Sequence, residues 1–84
     1  MAFIDVIWDL DDDKEGNVAH IAEHALTKDD VIWVLNNPIS HGTSRSSGRP
    51  VAYGYTQDDI YIAVVYAEID EDTVYPVTAY PVEE

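Results

Sequence analysis

The side chains best suited to bind an anion lie near the middle of this sequence. Residues 31–57 contain no Asp or Glu, and they contain Arg45 and Arg49. Arginine and hydroxyl side chains donate hydrogen bonds to phosphate and carboxylate oxygens, and the amides of Gly42 and Gly48 can add to them. We predict an anion-binding site formed by Ser40, His41, Ser44, Arg45, Ser47 and Arg49. The alternative is that core elements exclude acidic residues in any case and that both arginines pair with nearby carboxylates.

Two further motifs have the spacing of metal sites, but each lacks a ligand. Residues 20–24 spell H-x-x-E-H, in which two histidines one helical turn apart bind zinc; a third ligand and a peptidase-sized cleft are also needed. Residues 11–16 match the start of an EF-hand loop, but Ala22 stands where the bidentate glutamate is required. A polar helix face and a solvated acidic turn are the favoured interpretations, and we predict no metal ion and no other cofactor.

The remaining chemical signatures are few. The chain has no cysteine, which excludes disulfide frameworks, Cys-ligated zinc and thiol catalysis. No nucleophile elbow, phosphate-binding loop or dinucleotide fingerprint occurs in the sequence. Nucleic-acid surfaces combine aromatic residues with clustered Lys or Arg, so core and cross-strand packing is the favoured role of the tyrosines. These are Tyr53, Tyr55, Tyr61, Tyr66, Tyr75 and Tyr80.

The length and charge of the chain narrow the classes of function. Its 84 residues, 46% of them hydrophobic, allow one domain over residues 1–84 with a modest core. The net charge is −13: residues 1–30 hold nine acids and two lysines (−7), residues 58–84 eight acids and no base (−8), and residues 31–57 two arginines (+2). This charge disfavours RNA and anionic lipid as partners, and it leaves room for a local anion site.

The amino-terminal residues predict a strand rather than a secretory signal. Asp5 and Asp9 interrupt residues 1–10, and no Lys or Arg precedes them. An apolar run such as residues 62–67 is far shorter than the roughly 20 residues that span a bilayer. We therefore expect a soluble protein of cytoplasmic location.

Two short helices are predicted in the first half of the chain. Apolar residues at helical spacing indicate the first helix over about residues 15–25. The second begins at Thr27, whose hydroxyl can form a capping box with Asp30, and it is ended by Asn36, Asn37 and Pro38. Residues 39–49 are rich in Ser and Gly and have no period, so we expect a loop there.

The strand pattern predicts a small sheet. Strands are expected over residues 3–8, 51–56, 60–68 and 73–80. The run 60–68 is apolar on both faces and belongs at the centre, whereas Pro76 indicates an edge or a bulge. Short acidic turns join the last three strands into an antiparallel meander. The predicted fold is α+β, with an antiparallel sheet of three to four strands, two short helices on one face and the order β-α-α-β-β-β.

The order of several short motifs resembles the BrnT-like toxins. The motifs are Val6-Ile7-Trp8-Asp9, Asn17, Glu23-His24-Ala25, Thr27, Asn37-Pro38, Val64-Val65-Tyr66 and Val77-Thr78-Ala79. The similarity covers about residues 6–80. It rests on the order and spacing of the motifs, because each motif by itself is short. Ser47-Gly48-Arg49-Pro50 and the segment 75–80 further resemble an acidic bacterial branch beside those toxins.

The resemblance implies a fold similar to RelE-type ribonucleases and a place in a type II toxin–antitoxin pair. It implies that His24 is the family histidine, acting as acid or base in metal-independent RNA cleavage, and that Arg45 or Arg49 stands for the family arginine that binds phosphate.

The sequence also departs from the family pattern. Glu23, Ala25 and Tyr80 stand where the family has lysine, glycine and arginine, and residues 81–84 take the place of a basic carboxy-terminal helix. RNA cleavage needs cations that hold phosphate and stabilise developing charge. We therefore expect a degenerate or non-catalytic toxin homologue that acts as a protein-binding module.

Two alternatives stay open: a ribonuclease toxin of a type II pair, and an acidic nucleic-acid mimic or salt-adapted protein. The expected partner is an antitoxin-like or other basic protein. A homodimer also stays open, RNA is disfavoured by the charge, and no membrane partner is expected.

Overall fold

Two helices and five strands make up the described part of the chain, residues 5–83 of a computed structural model. The strands are β1 (Asp5–Val6), β2 (Ser40–Thr43), β3 (Pro50–Tyr55), β4 (Tyr61–Glu68) and β5 (Thr73–Pro81), and the helices are α1 (Asn17–Glu23) and α2 (Lys28–Asn36). Phe3 and Ile4, which the sequence assigns to the first strand, lie outside the described residues. Neither described helix combines the length and the apolar character needed to cross a bilayer.

The strands form one sheet in the order β1-β5-β4-β3-β2. The pairs β2–β3, β3–β4 and β4–β5 are antiparallel, whereas β1 pairs with β5 in parallel. The α+β class, the meander and the order of elements agree with the sequence-based prediction. The prediction of an antiparallel sheet of three to four strands was wrong, because the sheet has five strands and one parallel pair. A chain that leaves β1, crosses through two helices and returns through a meander brings β5 beside β1 in the parallel direction.

The centre of the sheet is where the apolar pattern placed it. β4 lies between β5 and β3, and four consecutive residues of it, 62–65, are buried. The register of β4 with β5 shifts between Val65 and Tyr66, whose partners are Thr78 and Pro76. Val77 is therefore an extra residue on β5, and the predicted irregularity at Pro76 is a bulge.

Both helices pack on one face of this sheet. The main core joins Ile21 of α1 and Val31, Val34 and Leu35 of α2 to sheet residues that include Ala52, Ile62, Val64 and Ala79. The predicted capping box is present at the start of α2: the Thr27 hydroxyl accepts from the Asp30 amide, and the Asp30 carboxylate accepts from the Thr27 amide. α1 is shorter than predicted and ends at Glu23, with Ala25 at φ 60° beyond it.

The segment predicted as a loop, residues 39–49, contains strand β2. Its residues Ser40–Thr43 pair antiparallel with β3, and residues 44–49 form the turn between them. β2 has no apolar alternation because its residues are polar or, in the case of glycine, have no side chain. Three of its four residues are exposed. β2 is a strand because β3 offers it a hydrogen-bonding edge, which is a tertiary cause that a local pattern does not reveal.

Candidate functional site

The face of the sheet opposite the helices carries a second apolar cluster. Val51, Ala63 and Val65 are buried there, with 2%, 0% and 6% of their surfaces exposed. The half-buried side chains that pack around them are Tyr53, Val77, Tyr80 and Val82. Because side chains alternate along a strand, Tyr55 and Tyr61 belong to this same face. We call this surface the tyrosine face.

A cleft of ≈ 410 Å³ opens at one end of the tyrosine face. We call it the tyrosine cleft; its lining is Ile39, Ser40, Tyr53, Tyr55, Tyr61, Val82 and Glu83. The ring of Tyr61 lies 6.3 Å from that of Tyr53 at an interplanar angle of 18°, and 5.0 Å from that of Tyr55 at 49°. These contacts confirm the predicted cross-strand packing of these tyrosines. They also hold in place the rings that line the cleft.

Backbone contacts and one glycine hold the cleft in shape. The Ile39 amide donates to the Tyr53 carbonyl at 2.8 Å, and the Val82 amide donates to the Tyr61 carbonyl at 3.0 Å. A Cβ on Gly42 would lie 3.2 Å from Cε2 of Tyr53, which is closer than side chains normally approach. Glycine at position 42 therefore lets the Tyr53 ring lie over β2.

The lining of the cleft is suited to an organic cation. The face of a tyrosine ring is electron-rich and attracts a Lys or Arg side chain within about 6 Å. Glu83 supplies a carboxylate beside the rings, while Ile39 and Val82 supply apolar contacts for the methylenes of such a side chain. The cleft therefore offers aromatic rings and a carboxylate to the charge of a basic residue, and apolar contacts to its methylenes.

The predicted anion-binding residues are divided between three places. Ser40 lies in the tyrosine cleft. His41 is paired with Ala52, whose side chain belongs to the core on the helix side, so the two side chains share that face. Ser44, Arg45, Ser47 and Arg49 lie on the turn between β2 and β3.

Hydrogen bonds within this turn already occupy the amides of Ser44, Gly48 and Arg49. The Gly48 amide, at φ 72°, donates to the Ser44 carbonyl at 2.8 Å, and the Ser44 amide donates to the Arg49 carbonyl at 2.8 Å. The Arg49 amide donates to Oγ of Ser47 at 3.4 Å, and the hydroxyls of Ser44 and Ser46 lie 3.3 Å apart. The Gly48 amide is therefore already engaged and is not free to bind an anion.

Both arginines of the turn are exposed and have no carboxylate partner among residues 5–83. The ion pair in that part of the chain joins Lys28 to Asp11 at 2.7 Å. The alternative interpretation, in which nearby carboxylates neutralise Arg45 and Arg49, therefore has no support in the described residues.

His24 and the two arginines lie on different elements: His24 follows α1, and the arginines lie on the turn between β2 and β3. The His24 ring lies 6.1 Å from the ring of Tyr80 on β5. Tyr80 is paired with Ala63, and Ala63 is paired with Tyr53, which follows Arg49 by four residues. At about 4.8 Å per strand and 3.3 Å per residue, the backbones at Tyr80 and Arg49 are about 16 Å apart. The catalytic assignment of His24, Arg45 and Arg49 stays a prediction.

A buried polar network, which the sequence reasoning missed, lies beyond β1. Asn17 is 1% exposed. Its Nδ2 donates to the carbonyls of Ile7 at 3.0 Å and Pro76 at 2.9 Å, and its Oδ1 accepts from the Asp9 amide at 2.9 Å. The side chain therefore joins the end of β1 and the start of α1 to the bulge of β5.

The same network shifts two pKa values in opposite directions. The Tyr75 hydroxyl and the backbone amide of Asn17 both donate to Oδ2 of Asp9. These hydrogen bonds, that of Tyr75 first, lower the pKa of Asp9 below 3.8, because they stabilise the carboxylate. The hydrogen bond to Asp9 raises the pKa of Tyr75 above 10.0. All polar atoms of the Asn17 side chain form hydrogen bonds within the protein, so the network has a structural role. The signal available in the sequence was Asn17 itself, an amide at the start of an otherwise apolar helix face.

The candidate metal motifs do not gather ligands in the structure. Within residues 5–83 no three His, Asp or Glu side chains are grouped to hold a metal ion. Nδ1 of His20 lies 3.3 Å from the carbonyl of Val77, and His24 lies beyond the last residue of α1.

Comparisons of the chain with protein-family models, with curated proteins and with solved structures found no match.

Proposed function

We propose that this protein is a non-catalytic binding module whose tyrosine cleft holds a basic, extended segment of another protein. The observation that carries the proposal is the lining of the cleft, which places three tyrosine rings and the carboxylate of Glu83 around one opening. As a degenerate homologue of the BrnT-like toxins, the module would take an antitoxin-like protein as its partner.

The charge of the whole chain supports the same class of partner. A net charge of −13 attracts a basic segment and accelerates its encounter, since the long-range field acts before contact is made. The arginines lie on the turn between β2 and β3, at the end of β3 away from Tyr55 and Tyr61, so they do not repel a cation in the cleft. The net negative charge accelerates the encounter of the basic segment with the protein, and the cleft determines where the segment binds.

The energetics of the cleft predict a moderate affinity. A cation over a tyrosine ring contributes about 0.5–2 kcal/mol, depending on how far it is removed from water. The carboxylate of Glu83 is exposed, so its pairing contributes less than about 1 kcal/mol. Removing the ring of Tyr61 should therefore weaken binding about tenfold, and neutralising Glu83 should weaken it a few-fold.

The test is a titration with two labelled synthetic peptides followed by fluorescence anisotropy. One peptide alternates Lys with Val, and the other alternates Glu with Val at the same length. We expect the Lys peptide to bind, more weakly as salt is added, and the Glu peptide not to bind. Tyr61→Leu keeps apolar volume but removes the aromatic face, so it should lower affinity for the Lys peptide.

Glu83→Gln has a matched control in Glu71→Gln. Both substitutions remove one exposed carboxylate and change the net charge equally, but Glu71 lies in the turn between β4 and β5 and does not line the cleft. We expect only Glu83→Gln to weaken binding beyond the effect of net charge. Equal losses in both variants would show that the peptide responds to the overall field, and the cleft would not be its site.

A parallel incubation with RNA tests the ribonuclease alternative. The binding proposal expects intact RNA in the presence of wild-type protein and of Arg49→Ala, with no metal ion added. Cleavage by the wild type that Arg49→Ala abolishes would replace the binding module with a toxin nuclease.

A further inference from the structure

The outer edge of β2 presents backbone groups that β3 does not use. β2 is the last strand of the sheet. The Ser44 amide bonds to the Arg49 carbonyl, and the bonded pairs of an antiparallel ladder alternate. Ser40 and Gly42 therefore point their amides and carbonyls at β3, and His41 and Thr43 point theirs away from the sheet. The pairing of Thr43 with Pro50, which has no amide proton, agrees with this alternation.

Within residues 5–83, this edge has none of the features with which proteins usually block sheet edges. Lysine, proline, a bulge or a covering helix normally prevents an edge strand from pairing with another chain. β2 reads Ser-His-Gly-Thr, pairs with β3 in unbroken register and is largely exposed. At the opposite edge, the described part of β1 is two residues long and carries Asp5.

The charge distribution makes β2 the edge where two copies of this chain can approach each other. Residues 1–30 and 58–84 carry −7 and −8, so most of the surface of one copy repels the same surface of another. β2 and β3 lie entirely within residues 31–57, the segment without acidic residues. A second copy that pairs with β2 therefore meets the part of the surface with least like charge.

The two ends of β2 carry opposite charges. Arg45 and Arg49, both without a described carboxylate partner, follow its carboxy-terminal end. Glu83 lines the cleft together with Ile39 and Ser40, at its amino-terminal end. An edge with this polarity is complementary to itself when a two-fold axis reverses it, because the positive end of each copy then meets the negative end of the other.

The geometry points to a homodimer in which β2 pairs antiparallel with β2 of a second copy and the two sheets become continuous. With the two-fold axis at Gly42, His41 of each copy lies opposite Thr43 of the other. The outward amides and carbonyls of these residues then form two reciprocal pairs of hydrogen bonds. Arg45 lies opposite Ile39 of the second copy, within reach of its Glu83.

The dimer is expected to be weak and reversible. A strand of four residues and its flanks buries less than the roughly 1,200 Å² of a standard interface, which is typical of transient association. A dissociation constant between about 1 µM and 1 mM follows for such a contact. The dimer does not require the tyrosine cleft to bind a peptide, since sedimentation and amide exchange are measured on the protein alone.

Sedimentation equilibrium over a series of protein concentrations tests the association. Thr43→Pro removes one outward amide proton and leaves the bonds to β3 intact, and proline is accepted at an edge position whose amide faces solvent. Thr43→Val is the matched control, because it keeps the amide. We expect wild type and Thr43→Val to dimerise and Thr43→Pro to raise the dissociation constant at least tenfold, with unchanged circular dichroism.

A charge reversal tests the two-fold register. Arg45→Glu should weaken the dimer, since it places a carboxylate beside Glu83 of the second copy, and the double variant R45E/E83R should restore it. Amide exchange supplies an independent check: His41 and Thr43 should become protected only at high concentration, whereas Gly42 should be protected at every concentration. A monomer at all concentrations, or a dimer that survives Thr43→Pro, would overturn the inference.

Discussion

Asn17→Ala is expected to remove a large part of the stability of this protein. The substitution deletes one side-chain acceptor and two side-chain donor bonds at a position with 1% exposure. Three backbone groups lose their partner: the Asp9 amide and the carbonyls of Ile7 and Pro76. A buried polar group without a partner costs about 1–3 kcal/mol, and water that enters the vacated space reduces that cost. We expect a loss of about 3–4 kcal/mol in the free energy of unfolding.

That loss can be compared with the stability of the whole domain. Proteins have about 0.05–0.15 kcal/mol per residue, which is about 4–13 kcal/mol for a chain of 84 residues. Asn17→Ala should therefore remove between about a quarter and nearly all of that stability. The loss is larger than that of a single hydrogen bond because one side chain connects three elements that are distant in the chain.

The assay is urea unfolding followed by tryptophan fluorescence, because Trp8 packs against the main core. The change should appear as a lower midpoint with an unchanged slope. Asn37→Ala is the control: this exposed amide donates a single bond, to the Trp33 carbonyl at 2.9 Å, and its removal should cost less than about 1 kcal/mol. Equal effects of the two substitutions, or a loss below about 1 kcal/mol for Asn17→Ala, would refute the role assigned to the network.

Three further predictions concern stability. Thr27→Ala removes the hydroxyl of the capping box and should lower the free energy of unfolding by about 1 kcal/mol in urea titrations. Gly54→Val should lower it by about 1–3 kcal/mol, because a Cβ there would lie 3.3 Å from the carbonyl oxygen of Asn37 and α2 would have to move away from β3. Tyr75→Phe removes the main cause of the lowered pKa of Asp9, and the stability that this hydrogen bond adds is present above pH 3.8 and lost as pH falls through the folded pKa. The difference in unfolding midpoint between wild type and Tyr75→Phe should therefore shrink in acid, and a constant difference would contradict this linkage.

The elements predicted well from the sequence are those whose local pattern and tertiary environment agree. Residues 60–68 are apolar on both faces and contain the whole of β4, which needs that composition because both of its faces are covered. Thr27 and Asp30 have the spacing of a capping box, and both of its hydrogen bonds form. In each case the physical cause lies within a few residues of the chain, so the sequence displays it.

The elements that were missed have causes elsewhere in the chain. β2 has no strand pattern of its own and depends on the edge of β3. The parallel pairing of β1 with β5 brings Asp5 beside Thr73, and no local signal marks that contact. The five-stranded, mixed sheet therefore could not be predicted from residue alternation alone.

The candidate site shows the same division. The alternation of Val51, Tyr53 and Tyr55 predicts that these residues share one face, and they do. The cleft needs two further segments, residue 39 before β2 and residues 82–83 after β5, whose position depends on the topology of the whole sheet. The distance between His24 and the arginines is likewise a property of strand order, so motif spacing could not reveal it.

The most direct test of the binding proposal is an NMR titration of the isotopically labelled protein with the Lys–Val peptide. The proposal predicts that shift changes concentrate on Tyr53, Tyr55, Tyr61 and Glu83, with nuclear Overhauser contacts between lysine methylene protons and the tyrosine rings. Shift changes spread over all acidic segments, with no contact to a tyrosine ring, would contradict it.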